Sequence, residues 1–571
     1  MAVKMFAAIS IGSAETEMRI YEISARKGMK EIDRLSTRIN LGAEAYASHK
    51  LDVEKVEQLC EVLKDFKTVM EGYKVDAYEI RATSALREIR SSLITLDHIE
   101  KRTGLKIQII SNTEQRYLDY KSIASESASF EKIIQSGTAI VDIGGSSMQI
   151  SVFDKDKLIS TANIHMGKIN TRDRYLYVAR NNRHYETLVR ELMEHELAGF
   201  LKLYQKDRLI RNLIVVDADL LDMIRAQQEM AQQMTGFQKA SSKKSAEDTA
   251  KSAKKSAEDA TKPGKKSAEA AKLAASGGVL NESVQFPGED VFQVSVDVFN
   301  ETYEAILDLS NDKIASSYGI SADAAQLVTQ SLIFCRCLME KLETEVLWIM
   351  DVSMCDGLCY DYAVRCKMIH TRHNFEEDII ATSRNIAKRY KCSNIHIKNM
   401  EELCLGIFDR LKKVHGMGDR ERLLLRISAI LHNCGKYISL TNVAECAYNI
   451  IMATDIIGLS LSEKQVIANV VKFNTAEFEY YDDLARVSNV TWEEYLVIAK
   501  LTAILRVANA LDRSHKQKCH GAVFALKDDV LTISVNTSDD LTLEKVTLAE
   551  REEFFAEVFS VHPVIRQKKK M

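Results

Sequence analysis

The chain has 571 residues, 46% of them hydrophobic and 28% charged, with a net charge of −4. That length is too great for one core and predicts three or four domains, and the ordinary balance excludes a fibrous or wholly disordered chain. The slight negative charge gives no reason to expect specific nucleic-acid binding, and no apolar run approaches the roughly 18 residues of a membrane helix.

The opening MAVKMFAAISIGS lacks the apolar centre of a signal peptide and reads as a first strand, so a cytoplasmic, reducing compartment is expected. EMRIYEISA is a second strand, and VEKVEQLCEVLKDFKTVMEGY has helical spacing. DAYEIRATS and KIQIISN read as strands with a helix between them. TAIVDIGGSSMQISVFD reads as two strands around a Gly-Gly turn. This alternation predicts an α/β domain with a mixed sheet, and a second α/β unit begins near TAIVDIGG and includes the buried-strand candidate LIVVDA.

Composition then changes. Residues 226–287 are rich in Ala, Lys, Ser, Gln and Glu, and KKSAED at Lys243 and Lys254 and KKSAEA at Lys265 repeat every eleven residues. Eleven residues are about three helical turns, but the repeated face is only Ala and Ser, and Pro263-Gly264 interrupts any continuous helix. The segment reads as a solvated insertion; its excess of lysine also suits a basic arm that touches polyanions.

Beyond residue 288, DVFQVSVDVFNETYEAILDLS and AAQLVTQSLIFCRCLMEKLE suit strand then helix, and VLWIMDVSMCDGLCYDYAV suits strand, turn and helix. From about residue 375 the pattern is almost entirely helical, through NFEEDIIATSRNIAKRY, MEELCLGIFDRLKKVH, RERLLLRISAILHNC and WEEYLVIAKLTAILRVANALDR. Residues 516–571 return to short strands, AVFALKD and VLTISVN, with a closing helix and a basic RQKKK tail. Eleven cysteines, ten of them from Cys335 onward, contain no C-x-x-C pair; Cys335, Cys337, Cys355 and Cys359 read as buried free thiols.

Several segments carry a resemblance in a fixed order: AAISIGSAE, RATSALRE, IISNTEQRYLDY, VDIGGSSMQI, IHMGKINTRD, VLWIMDVSMCDGL, LHNCGKYIS and LRVANALDRS. Together they resemble the exopolyphosphatase and guanosine-pentaphosphate phosphohydrolase (Ppx/GppA) family. The resemblance implies an α/β plus all-α fold: two actin-like (ribonuclease-H-like) domains around a cleft at 1–125 and 126–360, a helical HD-type domain at 361–515, and a small α+β segment at 516–571. It also implies a phosphohydrolase acting on inorganic polyphosphate or guanosine pentaphosphate, Mg²⁺ as cofactor, and a homodimer through the helical domain.

Chemically, phosphate is held best by backbone N–H groups at glycine turns, where no Cβ blocks approach. Gly12-Ser13 and Gly144-Gly145-Ser146-Ser147 supply two such loops, Arg87 a fork of donors, and Asp142 a strand-end carboxylate for Mg²⁺. Out of context, D-x-G-G-S is commonly just a hairpin turn and an arginine a surface ion-pair partner; the ordered series lifts both above that reading. The acidic positions depart from the family pattern. Ser10 replaces the Asp of the first loop, Ala14-Glu15 its Asn-Ser, and Gln149 the Glu of the second loop. Glu114 matches the first Glu of the family's catalytic segment and Gln115 the second, the usual base; a one-residue shift makes Glu114 the base, and Glu15 is a candidate to replace a lost charge. Gln cannot accept a proton at neutral pH.

In the helical domain His396, His432 and Asp512 match metal positions, but Asn433 replaces the central Asp, and Asn442 and Glu445 stand where further histidines occur, so a structural role is expected there. Two functions remain open: a phosphohydrolase with reduced activity, and a catalytically inactive polyphosphate- or nucleotide-binding regulatory protein. An ATP-binding actin-like or sugar-kinase-like protein is disfavoured, because LIVVDADLLDMI lacks the later glycine loop.

Overall fold

Strand β1 (Lys4–Ile11) buries side chains on both of its faces. Ala7, Ile9 and Ile11 enter one apolar cluster with Leu59, Leu63 and Ile99, while Phe6 and Ala8 enter another with Cys355, Leu358 and Cys359. A strand covered on both sides reads as a continuous apolar run, which is why MFAAISI is legible as a strand without polar alternation. The computed structural model describes residues 3–126, 130–155, 157–175, 177, 182–205, 208–227, 284–285, 291–370 and 373–568. Most of the Lys/Ala/Ser-rich segment expected as an insertion, including all three copies of its repeat, lies outside those residues.

The chain divides into two compact units, Met1–Lys157 with Thr161–Arg372, and Leu158–Ser160 with His373–Met571. The first unit carries two sheets. In the first sheet β1 lies between β2 (Glu15–Ser24) and β4 (Ala77–Ala82), with β3 (Gly28–Arg38) and β5 (Gln108–Ile109) at the edges, in the order β3-β2-β1-β4-β5. Strands β1 to β3 form an antiparallel meander, and β4 and β5 run parallel to β1 and β4 respectively.

The second sheet contains β6 (Thr138–Ile143), β7 (Met148–Asp154), β8 (Lys157–Ile164), β9 (Asn212–Val216), β10 (Val284–Gln285), β11 (Val291–Ser295) and β12 (Val346–Met350). Its order is β10-β11-β12-β9-β6-β7-β8. The β8-β7-β6-β9-β12 part repeats the order of the first sheet, with β7 antiparallel to β6, and β9 and β12 parallel. The two lobes are thus built on one plan, the ribonuclease-H-like order of strands. Strands β10 and β11 extend the second lobe in antiparallel fashion.

Two helices cross beneath the lobes. Asn112–Glu126 follows β5, and Met354–Arg365 follows β12 and packs on the first sheet. They approach so closely that a Cβ on Gly357 would overlap the Leu118 carbonyl.

The second unit is helical through Phe375–Arg389, Asn394–Arg410, Asp419–Leu431, Val443–Ala453, Leu461–Phe473 and Trp492–Leu511. It ends in a three-stranded sheet of β13 (Val523–Lys527), β14 (Val530–Asn536) and β15 (His562–Lys568). Here the expected ending is corrected. Helix Thr542–Phe559 does not close the chain, because β15 follows it, pairs parallel to β14 and takes in Arg566, Gln567 and Lys568 of the basic tail. β3 likewise escapes a sequence reading: it is an edge strand with no fully buried side chain, so it carries little apolar periodicity. Cys335, Cys337, Cys355 and Cys359 are free and buried, as expected. Among the described residues, no helix is long and apolar enough to cross a membrane.

Candidate functional site: two facing hairpins over a buried ionic cluster

The repeated plan places two equivalent turns face to face. In the first lobe the Gly12 N–H donates to the Glu15 carbonyl at 2.9 Å, closing the β1–β2 turn around Ser13-Ala14. In the second, the Gly144 N–H donates to the Ser147 carbonyl at 3.0 Å, closing the β6–β7 turn around Gly145-Ser146. The loops touch: a Cβ on Gly145 would lie 2.8 Å from Ser13 Cβ. Gly145 is therefore needed for the approach of the opposite loop, not only for its own turn.

Each turn has its carbonyls drawn away by the segment that follows the third strand. Gly42 N–H donates to Ser13 O at 2.8 Å, and Asn40 N–H to Ala14 O at 2.9 Å. Correspondingly, Lys168 N–H donates to Gly144 O at 2.9 Å and Ile169 N–H to Gly145 O at 3.0 Å. IHMGKIN thus serves the second loop as RINLG serves the first. Among the described residues, the Gly145 and Ser146 N–H groups make no hydrogen bond within the chain.

Hydroxyls line the meeting point. Ser13 Oγ lies 3.0 Å from Ser84 Oγ, Tyr46 Oη 2.7 Å from Ser84 Oγ, and Tyr46 also bonds Ser13. Burial pushes the Tyr46 phenol up. Ser84 lies within the TSALRE segment, yet neither it nor Tyr46 stands out in the sequence. Ser147 is also buried, at the start of β7.

Arg87 and Glu114 hold structure. The Arg87 guanidinium donates to the Ile110 carbonyl at 2.7 Å and to Asn112 Oδ1, pinning the entry to helix Asn112–Glu126. Glu114 Oε2 accepts from Ser111 N–H at 3.0 Å and Ser111 Oγ at 2.8 Å, while Glu114 N–H donates back to Ser111 Oγ at 3.2 Å. That reciprocal arrangement is a capping box, so the Glu114 carboxylate serves the helix start. Glu15 accepts from Ser36 Oγ at 2.8 Å, and burial raises its carboxyl. Ser10 lies within β1 opposite Glu17.

Gln115 does reach the site. Its Nε2 donates to Asp142 Oδ2 at 3.1 Å. One helical turn further on stands Asp119, whose carboxyl and that of Asp142 act on each other electrostatically, and its Oδ2 is buried with no hydrogen-bond partner among the described residues. Two buried carboxyls close together disfavour each other's ionisation. Burial, then the Asp142 charge, pushes the Asp119 carboxyl well up, and burial raises Asp142 to about 6. In the sequence, only the i+4 spacing from Gln115 points to Asp119. Gln149 lies opposite Asp142 in register, and its buried Oε1 has no hydrogen-bond partner among the described residues.

Beyond Asp142 the cleft holds a buried lysine. Lys168 Nζ lies 3.1 Å from Asp217 Oδ1 and 2.6 Å from Asp219 Oδ2. Asp217 also accepts from Ser331 Oγ at 2.6 Å, and Asp219 from Arg38 at 2.9 Å. The ammonium lowers the pKa of Asp142 against the rise from burial, so it acts on both strand-end carboxylates. These contacts decide the fit of a divalent ion: the oxygens it would take face an amide on Asp142 and an ammonium on Asp217 and Asp219. Among the described residues, no trio of His, Cys, Asp or Glu is placed to hold a metal. The donor set therefore does not fit Mg²⁺. A second polar cavity of about 200 Å³ is lined by Arg19, Tyr21, Met29, Glu31, Arg34, Asp351 and Asp356, whose charges pair with one another.

In the second unit, the structure brings His396, His432 and Asp512 together. His396 Nδ1 lies 2.7 Å from Asp512 Oδ2, and His396 Nε2 lies 3.0 Å from His432 Nε2. His432 Nδ1 must donate to the Ala429 carbonyl at 2.7 Å, so its Nε2 is the acceptor. His396 then donates from Nε2 to His432, while its Nδ1 faces the buried Asp512. His515 stacks on it at 3.7 Å.

Paired α/β lobes with facing glycine hairpins define a protein of the ribonuclease-H-like fold class. Family models narrow this: the Ppx/GppA phosphatase family matches residues 19–258, and Ppx/GppA phosphatase domain III matches residues 380–553. The chain belongs to the Ppx/GppA phosphatase family. It is 19% identical over 470 residues to a guanosine-5′-triphosphate,3′-diphosphate pyrophosphatase of Photobacterium profundum, covering 82% of this chain and 80% of that one. It is 23% identical over 175 residues to a bifunctional 3-dehydroquinate synthase/phosphatase of Fusobacterium nucleatum, covering 30% of this chain but only 26% of that protein. Among solved structures, it is similar to an exopolyphosphatase from Cytophaga hutchinsonii, with a TM-score of 0.49, 13% identity, and coverage of 64% of this chain and 99% of that one. The Aquifex aeolicus member of the Ppx/GppA family gives a TM-score of 0.46 at 13% identity, with coverage of 64% and 99%.

Proposed function

We propose that this chain receives the terminal phosphate of inorganic polyphosphate or of guanosine pentaphosphate at the two facing hairpins and hydrolyses it slowly. Membership of the family and the open amides of Gly145 and Ser146 support the ligand class. The hydroxyls of Ser13 and Ser84 lie at the same point and supply further donors.

The observation that carries reduced turnover is the Gln115–Asp142 hydrogen bond of 3.1 Å. At the position of the family's base stands an amide that cannot take a proton and whose N–H is directed at the neighbouring carboxylate. Burial raises both Asp142 and Asp119, so neither carboxyl is a free base at low pH. Loss of a positioned base costs about 10²–10⁴ in rate. At the lower limit of turnover the same cleft makes the protein a polyphosphate- or nucleotide-binding regulator. The helical unit is read as HD-type in form and structural in role, since His396 is engaged by Asp512 and His432.

The test is phosphate release from long-chain polyphosphate and, separately, from guanosine pentaphosphate, by the full chain and by Gln115→Glu. The variant is expected to release phosphate about 10²-fold faster or more. Equal rates in the two proteins would overturn the role given to Gln115. Absence of saturable binding of either polyanion would overturn the ligand class.

A further inference from the structure

We propose that Lys168 is the resident cation of the cleft, filling from within the chain the place that a divalent metal ion would take among Asp142, Asp217 and Asp219. The inference rests on the phosphate-site reading above for its meaning, but on its own contacts for its evidence. Lys168 is 7% exposed, and its Nζ lies 2.6 and 3.1 Å from carboxylate oxygens that follow the C-terminal end of β9. Asp142 lies near the C-terminal end of the adjacent, parallel β6, in register with Val216, the residue before Asp217. The ammonium on Asp217 and Asp219 therefore stands at the end of β9, beside the strand end that carries Asp142.

Alternative roles for this lysine are weaker. A surface ion pair would leave the ammonium hydrated and replaceable. Here the backbone fixes it, because Lys168 N–H is bonded to Gly144 O and its neighbour Gly167 lies against the Gly145 carbonyl, where a Cβ would overlap. The second carboxylate of the pair, Asp219, is held from the other side by Arg38 at 2.9 Å, and Asp217 by Ser331 Oγ and the Leu220 N–H. Each carboxylate thus has its partners without any ion from solution. An ammonium supplies a unit charge and no open coordination position. It can offset charge on a phosphate nearby, but it cannot orient a water molecule as a metal ion does.

Two consequences follow. The protein holds no divalent ion of its own in the cleft, and phosphate binding does not depend on one. Any divalent cation arrives only as a counter-ion of the polyanion.

The experiment uses the full chain and Mn²⁺, first without any phosphate. Electron paramagnetic resonance is expected to show no saturable Mn²⁺ site in the wild type that Asp217→Asn removes. Lys168→Met, which keeps the length of the side chain and deletes the charge, is expected to gain such a site, while Lys168→Arg gains none. A wild-type Mn²⁺ site abolished by Asp217→Asn or Asp142→Asn would sink the proposal. Should Lys168→Met fail to fold, the wild-type measurement still decides it. In a second arm, long-chain polyphosphate is titrated in EDTA and in Mg²⁺. Affinities within about threefold of each other are expected, and a tenfold loss in EDTA (about 1.4 kcal/mol) would overturn the claim. If no polyphosphate binds under either condition, the functional reading fails while the Mn²⁺ result still judges Lys168.

Discussion

The cleft of the first unit and the histidine cluster of the second satisfy buried aspartates with different partners. In the cleft, Asp217 and Asp219 are balanced by Lys168; in the helical unit, Asp512 lies against His396 Nδ1, and His396 Nε2 meets His432. A lysine keeps its charge across the whole physiological range. The first site is thereby held by a permanent charge, and the second by a chain of imidazole hydrogen bonds.

The largest way to break this comparison is to remove one partner. Asp512→Ala leaves the His396 ring buried without its carboxylate and is expected to cost about 3–5 kcal/mol, read as a fall in the denaturant midpoint of the helical unit. A loss below about 1 kcal/mol would show that the His396–Asp512 contact does not hold the cluster together. The next effect is the dependence on pH, which should have opposite signs in the two places. His432 is held down to about 3, chiefly by burial and then by His396. The unfolded chain therefore binds more protons than the native one between about 3 and 6.5, and the helical unit should lose stability as pH falls through that window. Asp142 is raised to about 6, so its native form binds more protons than the unfolded chain between about 4 and 6. Its contribution should improve as pH falls from 6 to 4. Thermal melts of the full chain from pH 7 to 4, followed by hydrogen exchange in each unit, separate the two signs. Matching signs in both units would contradict the assignment.

The smallest effects sharpen the division into units. Thr491 caps helix Trp492–Leu511 in a capping box with Glu494, and Ser321 caps helix Ala322–Leu342. Thr491→Ala should lower only the second unit's transition and Ser321→Ala only the first unit's, each by about 1 kcal/mol. Equal shifts of both transitions by either variant would show that the units melt as one.

Much of this architecture is legible in the sequence because its signals are local. β1, β6 and β9 are apolar runs, and the Gly-Gly turn follows from glycine between alternating strands. The same cannot hold for β3 and β15, which are edge strands whose polar faces look like loop. At the site, Gly12, Ser13, Asp142 and Gly145 are recognisable from spacing. Glu114 and Arg87 are recognisable too, but residue type alone does not show that one is a helix cap and the other a pin for the same helix. Lys168, Asp217 and Asp219 lie 49 and 51 positions apart along the chain, and nothing in either segment announces the pairing. Asp119 is nearer to being readable, since it falls one helical turn from Gln115.

Gly357 gives the crossing of the two central helices a mechanical meaning. Helix Asn112–Glu126 starts in the first lobe and delivers Gln115 and Asp119 to Asp142 of the second, while Met354–Arg365 leaves the second lobe to support the first. Their closest approach is at Gly357 and the Leu118 carbonyl. Beside it the Leu118 side chain joins Met354, Cys355 and Leu358 in one apolar cluster, so the lobes share a tightly packed fulcrum. A methyl group there would act as a wedge, tilting the lever that carries Gln115 and uncoupling the hairpins without touching either of them.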